Sequence, residues 1–208
     1  MATLYLGNQL ISPMIVSGST PSGKYQLLQR IKDDSNNEIG TVSGFFTDAN
    51  DVEYAVVCLD AQYRLANGRW TSASGSVTNL PLYNDASIWT STDTATFNTQ
   101  KIIDFSNTST ACNHCRSKSF LIGGITYYGQ LPNLVELVDI FRNRIDINSA
   151  DITASSYPSV IIPLSTRTWS SNQLSDIYAI LISSNGLPSA TYRTNDYLTC
   201  PVLELPNA

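Results

Sequence analysis

The chain has 208 residues, of which 42% are apolar and 14% are charged, and its net charge at pH 7 is −5. This length permits one domain of ordinary size, with or without a small appendage, and the apolar fraction suffices for a packed core. The negative charge and the scattering of the twelve basic residues argue against nucleic-acid binding, which needs clustered Lys and Arg.

The distribution of apolar and basic residues predicts neither a membrane-spanning helix nor a secretory signal. No apolar run approaches the roughly 20 residues that a membrane-spanning helix needs. The N-terminus shows no basic segment followed by an apolar one, so no secretory signal is predicted, and we expect synthesis in a cytoplasm and release by a route such as lysis. Ser, Thr, Asn and eleven Tyr take the place of charged residues. This composition favours a β-rich chain.

Residues 1–24 are predicted to form an attachment segment. Short apolar stretches on either side of Gly7-Asn8 predict two strands joined by a tight turn. Residues 17–24 have the Gly/Ser composition of a flexible hinge. Because so small a unit does not fold alone, we expect it to add strands to a partner or to a second copy in a homo-oligomer.

Residues 25–208 are predicted to form a β-rich region. Strands are expected at 25–31, 39–46 and 52–59, with a turn at 33–37, and the near-continuous apolar character of 52–59 is typical of a central strand. Gly68-Arg69-Trp70 is predicted as a turn or hairpin, and the Ser/Thr-rich residues 71–78 as a loop that leads toward Trp89.

Two helices are predicted further along. The first is capped by Asp93 or Thr94 and runs to about Phe105. The second begins near Pro132 and Asn133, and its apolar residues recur in steps of three and four, which places them on one buried face. These residues are Leu134, Leu137, Val138, Phe141 and Ile145. The opposite face, expected in water, carries Glu136, Asp139, Arg142 and Arg144.

The C-terminal part is predicted to be a meandering sheet. Residues 146–158 are expected to be polar and irregular, and three or four short strands with Asn-Gly and Asn-Asp turns follow. Trp169 is interpreted as a core residue, because a buried indole is the commoner fate.

Cys112-Asn113-His114-Cys115 is the one short motif with chemical potential. It fits half a zinc site that His114, Cys58 or Cys200 would complete, or a redox pair, although no thioredoxin-like context surrounds it. Because a second paired motif is missing, small buried or loop cysteines are the preferred interpretation, with no cofactor and no metal.

The order of motifs in the second half carries a family resemblance. Gly129-x-Leu131-Pro132, an amphipathic helix, Trp169-Ser170-Ser171, a strand at 177–182, a turn at Asn185-Gly186 and a closing Pro201-Val202 resemble the C-type-lectin-like domains of bacteria and phages. This branch is related in fold to formylglycine-generating enzyme. The resemblance implies an α+β fold of two helices and a mostly antiparallel sheet, covering about residues 80–205. Cys200 departs from the family, which usually has Arg there.

The resemblance does not extend to catalysis or to calcium. Nothing in the chain maps onto the copper-binding cysteine pair of the enzyme. The Glu-Pro-Asn, Gln-Pro-Asp and Trp-Asn-Asp motifs that supply calcium ligands in lectins are absent. With one histidine and no Gly-x-Ser-x-Gly elbow, the chain is not expected to be an enzyme.

The remaining expectation is binding through the loop face of the fold. Tyr and Asn give contact area and adaptable hydrogen bonds at low entropic cost. The predicted contact residues are Tyr157, Tyr178, Tyr192, Arg193, Asn195, Asp196 and Tyr197.

The N-terminus also resembles those of some tailed-phage virion proteins, in Leu4-Tyr5-Leu6-Gly7-Asn8 and the hinge that follows. The combined hypothesis is a virion surface protein, of fibre or decoration type. Its N-terminus would bind capsid or tail, and its lectin-like domain would bind host or environmental glycans or proteins. The alternative is a capsid or tail cementing protein with a purely structural role.

Overall fold

The computed structural model describes residues 23–78, 80, 93–162, 167–183 and 185–208, and the backbone of residues 4–6 and 9–11. These residues form an α+β fold of four helices and several mostly antiparallel sheets. The predicted Gly7-Asn8 turn, residues 17–22 of the predicted hinge, and Trp89 lie outside the described residues.

The helices and strands follow one another as strands, two helices, a hairpin, two helices and strands. The helices are α1 (Ala95–Phe105), α2 (Thr110–Arg116), α3 (Leu134–Arg142) and α4 (Arg144–Ala150). The first strands are β1 (Leu4–Leu6), β2 (Gln9–Ile11), β3 (Arg30–Lys32), β4 (Glu38–Thr47), β5 (Glu53–Leu59) and β6 (Leu65–Arg69). The later strands are β7 (Ser119–Ile122), β8 (Ile125–Tyr128), β9 (Thr168–Gln173), β10 (Tyr178–Ile182), β11 (Pro188–Tyr192), β12 (Asp196–Thr199) and β13 (Val202–Pro206).

A four-stranded sheet in the order β13-β5-β4-β3 joins three strands from the first part of the chain to the last strand, β13. The prediction that 52–59 is a central strand is confirmed, because β5 pairs with β13 on one side and β4 on the other. The predicted strand at 25–31 is wrong over most of its length. Leu28 has a positive φ of 62° and Gln29 N donates to Gln26 O in a turn. The regular ladder with β4 therefore begins only at Arg30, although Leu28 N and Gln29 O already bond to Val42.

A five-stranded sheet in the order β11-β10-β9-β12-β6 forms the second layer. Its pairings are antiparallel except the one between β9 and β12. Residues 65–69 form strand β6, so the predicted turn at Gly68-Arg69-Trp70 is wrong. Gly68 serves close packing instead, since a Cβ there would lie 2.1 Å from Thr199 Oγ1.

Every residue of β9 is buried. Trp169 is fully buried and donates its Nε1–H to Gly68 O at 2.8 Å, while Trp70 donates to Ser170 O at 2.9 Å. The two indole N–H groups therefore form reciprocal hydrogen bonds between β9 and the end of β6, so both buried rings have their polar atom paired.

The two predicted helices are present. Thr94 caps α1 by accepting from Phe97 N at 3.0 Å. Asn133 caps α3 in a capping box, where Asn133 Oδ1 accepts from Glu136 N and Glu136 Oε2 accepts from Asn133 N. This box starts α3 at Leu134, two residues after Pro132.

The apolar face of α3 buries Leu134, Leu137, Val138 and Phe141 between the two large sheets. Two details of the predicted faces are wrong. Glu136 is 1% exposed, because the capping box turns its carboxylate back over the helix end. Ile145 is 67% exposed, because α3 stops at Asn143 and the following helix buries Ile147 instead.

Helices α2 and α4 were not predicted. Residues 112–115 lie on α2, which Ser109 caps by accepting from Cys112 N at 3.0 Å. Residues 144–150, expected to be largely irregular, form α4. Both helices have only seven residues, too few to display a repeating apolar period. In the described ranges, no helix is long and apolar enough to span a membrane.

Candidate functional site: the Arg193 pocket

Three segments meet at one end of the five-stranded sheet, beyond the last residues of β6, β9 and β11, and line a pocket of about 120 Å³. Backbone hydrogen bonds hold them together, since Arg193 N donates to Ile177 O and Thr71 N donates to Arg193 O, each at 3.2 Å. We call this the Arg193 pocket. It is lined by residues 72–74 after β6, by Asp176 and Ile177 between β9 and β10, and by Tyr192, Arg193 and Thr194 at the end of β11.

Arg193 was predicted as a ligand contact on the loop surface, and the structure instead buries the residue, which is 2% exposed. Its Nη2 donates to the carbonyl oxygens of Ala73 at 3.0 Å, Gly75 at 2.8 Å and Asp176. The guanidinium also lies over the Trp70 ring, 5.4 Å from its centroid. One side chain thus ties two loops together.

The described neighbours of Arg193 do not use all of its hydrogen-bond donors. Nη1 is buried and has no hydrogen-bond partner among the described residues. Burial lowers the pKa of the guanidinium, and the Asp176 charge opposes this, yet an arginine stays protonated in proteins. Arg193 is therefore a buried positive charge whose Nη1 has no hydrogen-bond partner in the part of the chain that the structure describes.

Tyr178 and Tyr192 are partners in the β10–β11 ladder and form the aromatic part of this surface. Their ring centroids lie 4.9 Å apart, and the Tyr192 side chain is 53% exposed while Tyr178 is half-buried. A hydrogen bond between the two hydroxyls raises the pKa of Tyr178. Two predicted residues, Tyr178 and Tyr192, are thus brought together, with one ring presented to solvent.

Asn195, Asp196 and Tyr197 hold the neighbouring strands in place. Asn195 Nδ2 donates to Thr191 Oγ1 at 3.0 Å, and Asp196 pairs with Arg69 at 3.2 Å. The half-buried Tyr197 ring packs edge-on against Trp169 with centroids 5.1 Å apart. These contacts use most of the polar atoms that the loop-face prediction assigned to a ligand.

Tyr157 lies in the segment after α4 and is 46% exposed. Its backbone N donates to Thr153 O at 3.1 Å and its carbonyl accepts from Val160 N. No described contact joins it to the Arg193 pocket.

The cysteines and the histidine are arranged for packing. All four thiols are buried and free, and burial raises the pKa of Cys58 to about 11 and of Cys112 to about 12. His114 Nε2 lies 2.7 Å from Tyr63 O. Among the described residues, which include all five of these side chains, no group of three or more His, Cys, Asp or Glu comes together to hold a metal.

Several lining residues had no signal in the sequence. Ser72, Ser74 and Thr194 belong to polar stretches that read as ordinary loop, and Asp176 as an ordinary turn residue. Only the placement of the loop after β6 beside the end of β11 makes them neighbours.

Comparison with known proteins gives one distant likeness. No family model matches the chain, and no curated protein matches it significantly. Among solved structures it is similar to a fimbrial protein from Bacteroides ovatus, with a TM-score of 0.58 and 13% identity over 87% of this chain. The chain spans about half, 49%, of the length of that protein. At this identity the likeness concerns the fold alone.

Proposed function

We propose that the chain is a non-enzymatic, surface-displayed binding protein that contacts its ligand through the Arg193 pocket and the Tyr178–Tyr192 pair. The observation that carries the proposal is an exposed tyrosine beside a pocket lined by a rigidly held, incompletely satisfied arginine. Aromatic rings and arginines supply most of the energy at binding hot spots, and a preorganised site avoids the entropic cost of ordering.

The scaffold proposed is a C-type-lectin-like domain. Support comes from the last strand β13, which pairs antiparallel with β5, a strand that precedes all four helices. It comes also from the buried strand that carries Trp169-Ser170-Ser171 and from helices α1 and α3 at the positions that the resemblance implies. Helices α2 and α4 would be additions to that scaffold.

The assembly proposed is a tailed-phage virion, with residues 1–24 as the attachment segment to capsid or tail and the site of homo-oligomerisation. Among the described strands, β1 and β2 pair only with each other. An isolated two-stranded hairpin is marginally stable in water. This supports a role for the hairpin in joining a partner.

A second candidate is a subunit of a bacterial surface appendage. The likeness to a fimbrial protein favours it, because the alignment covers 87% of this chain. Both candidates display the same face, and they differ in the particle that carries it. The cementing role, without any receptor, is the structural alternative to both.

The non-enzymatic part of the proposal rests on the side chains that would have to react. The only histidine is engaged with the Tyr63 carbonyl, and its pKa is lowered mainly by burial. The thiols are buried with raised pKa values. None of these groups lines the Arg193 pocket.

The test is binding of purified full-length protein to bacterial cells and to an array of surface glycans. Tyr192→Ala together with Tyr178→Ala is expected to abolish binding, whereas Tyr157→Ala, a matched exposed tyrosine outside the pocket, is expected to leave it unchanged. Incorporation of each variant into particles is measured in parallel. Equal binding by all variants would contradict the proposed site. If the wild-type protein binds neither cells nor glycans while particles that lack it assemble poorly, the cementing role is favoured.

A further inference from the structure

Strand β11 lies at one outer edge of the five-stranded sheet and pairs with β10 alone among the described strands. Backbone hydrogen bonds at its two ends fix which of its residues face β10. Just before the strand, Leu187 O accepts from Ser183 N at 2.9 Å. Just after it, Arg193 N donates to Ile177 O at 3.2 Å. Because bonded and non-bonded pairs alternate in an antiparallel ladder, every second residue from Leu187 to Arg193 points its N–H and C=O groups toward β10.

The intervening residues therefore point their backbone groups away from the sheet. The outward groups include the N–H and C=O of Ala190 and the N–H of Tyr192, whereas the Tyr192 carbonyl accepts from Asn195 N at 3.0 Å. The described residues provide no hydrogen-bond partner for the Ala190 groups or for Tyr192 N. Ser189 and Ala190 are exposed, so this edge is open to solvent. Pro188 has no N–H to offer, which limits the open edge to the end of the strand.

Charge and cover distinguish this edge from the other edges of the two large sheets. Residues 177–192, which include β10 and β11, contain no charged side chain. By contrast, β3 carries Arg30 and Lys32, β6 lies against α2, and β13 is paired with Gln130. Proteins usually protect an exposed edge with charges, prolines, bulges or a covering segment, because a bare edge can take up a further strand. The end of β11 is therefore suited to strand addition.

The Arg193 pocket lies at the end of this same edge, since Tyr192, Arg193 and Thr194 line it. The exposed lining of the pocket is mostly apolar, and Ile177 and Tyr192 are 45% and 53% exposed. Its volume of about 120 Å³ is somewhat below the roughly 150 Å³ of an engineered cavity that binds benzene. The pocket therefore has room for one aliphatic side chain.

We infer that the ligand of this surface is an extended polypeptide segment of a partner protein, which pairs its backbone with Ala190 and Tyr192 and places one aliphatic side chain in the Arg193 pocket. This rests on the proposed function and names the ligand class of the same site. In strand addition, backbone hydrogen bonds supply affinity and pockets for side chains supply specificity. Because residues 177–192 are uncharged, the partner segment is expected to be uncharged as well. The added strand lies in the plane of the sheet, so the Tyr178 and Tyr192 rings stay available to the rest of the partner.

The probe is a displayed library of short random peptides, selected on the full-length protein. Selected peptides are expected to share an uncharged segment rich in β-branched residues, with one constant aliphatic position. Their affinities are then measured by calorimetric titration. Ala190→Pro removes an outward N–H and no hydrogen bond to β10, and it should weaken binding about tenfold. Ser189→Ala is the matched control, because it changes the neighbouring exposed side chain and keeps every outward backbone group.

Hydrogen exchange in the wild-type protein gives a readout that needs no substitution. The amide protons of Ala190 and Tyr192 should exchange more slowly once a selected peptide is bound, because they become hydrogen-bonded. The amide proton of Thr191 faces β10 and should change little. Urea unfolding checks that Ala190→Pro is folded, and exchange in the wild type decides the matter if that variant is not.

The outcomes separate the inference from the proposed function. Selection of no peptide, equal binding by a folded Ala190→Pro variant, or binding that leaves exchange at Ala190 unchanged would each overturn the inference. If no peptide is recognised while Tyr192-dependent binding to cells or glycans persists, the inference fails and the proposed function stands. Self-association of the full-length protein that Ala190→Pro abolishes would identify a second copy as the occupant, and this would also overturn the inference.

Discussion

Two buried arginines, Arg64 and Arg193, show how differently this chain treats a cation in its interior. Arg64 pairs with Asp151 at 3.3 Å, with both side chains fully buried, and donates to Leu59 O at 2.9 Å and Val160 O at 3.3 Å. Arg193 donates to three carbonyl groups and borders a pocket, and its Nη1 has no partner within the described ranges.

The difference indicates which arginine belongs to the scaffold and which to the site. The Arg64 region is a closed network, because Asp151 also accepts from Ala61 N at 2.6 Å and Thr153 N at 2.9 Å. In Arg193, by contrast, Nη2 donates to three carbonyl oxygens while Nη1 has no partner among the described residues. A fully satisfied polar network specifies a fold, whereas an unsatisfied group at a pocket is a candidate for ligand recognition.

The largest loss of unfolding free energy is expected in the network around Arg64 and Asp151. Arg64→Met leaves Asp151 as a buried carboxylate without its cation and should lower the free energy of unfolding by about 3–5 kcal/mol. Urea unfolding monitored by circular dichroism measures this. A loss below about 1 kcal/mol would mean that Arg64 and Asp151 are hydrated in solution.

A smaller loss of unfolding free energy is expected at Arg193. Arg193→Met removes hydrogen bonds to three carbonyls but strands no buried anion, so the free energy of unfolding should fall by about 1–3 kcal/mol. The same urea titration applies. A loss equal to that of Arg64→Met would contradict the distinction between the two arginines.

The third buried charged site contains two acids. Burial raises the pKa of Glu136 well above its usual value, and the neighbouring Glu204 carboxylate adds to the rise. Glu204 accepts from Ala95 N at 2.8 Å and Thr96 N at 3.0 Å at the start of α1. Protonated Glu136 can donate to Glu204 from Oε1, the oxygen that otherwise lacks a partner.

The sign of the pH dependence follows from this raised pKa. The stability contributed by protonated Glu136 is fully present below the unfolded pKa of about 4.3 and is lost as pH rises through the raised folded pKa. Glu136→Gln keeps the capping box and stays neutral. The difference in unfolding free energy between variant and wild type should therefore shift in favour of the variant from pH 4 to pH 8. A pH-independent difference would contradict the raised pKa.

The sequence predicted the elements that local signals define. Asn133, Glu136 and the apolar steps after them mark α3, and Thr94 marks α1, because caps and helical periods are local. Helix α2 went unrecognised because its seven residues span fewer than two turns, too few for an apolar pattern to repeat. The outward-facing Tyr192 of the candidate site was anticipated from residue type.

The wrong predictions concern residues whose surroundings depend mainly on contacts outside the local pattern. Arg193 lies in a Thr-Tyr-Arg-Thr-Asn turn that predicts an exposed side chain, and its burial depends on a carbonyl 120 residues earlier, that of Ala73. Tyr197 was assigned to the ligand, although the ring packs on Trp169. Glu136 was placed in water because a helical wheel ignores the capping box.

The account turns on whether the surface beside Arg193 binds a ligand, and Tyr192→Ala tests this with the smallest structural disturbance. Its free energy of unfolding should stay within about 0.5 kcal/mol of wild type, since the ring is largely exposed. Binding of the variant to cells and glycans is the decisive measurement. We predict an equally stable variant that no longer binds, whereas full binding by the variant would contradict the account.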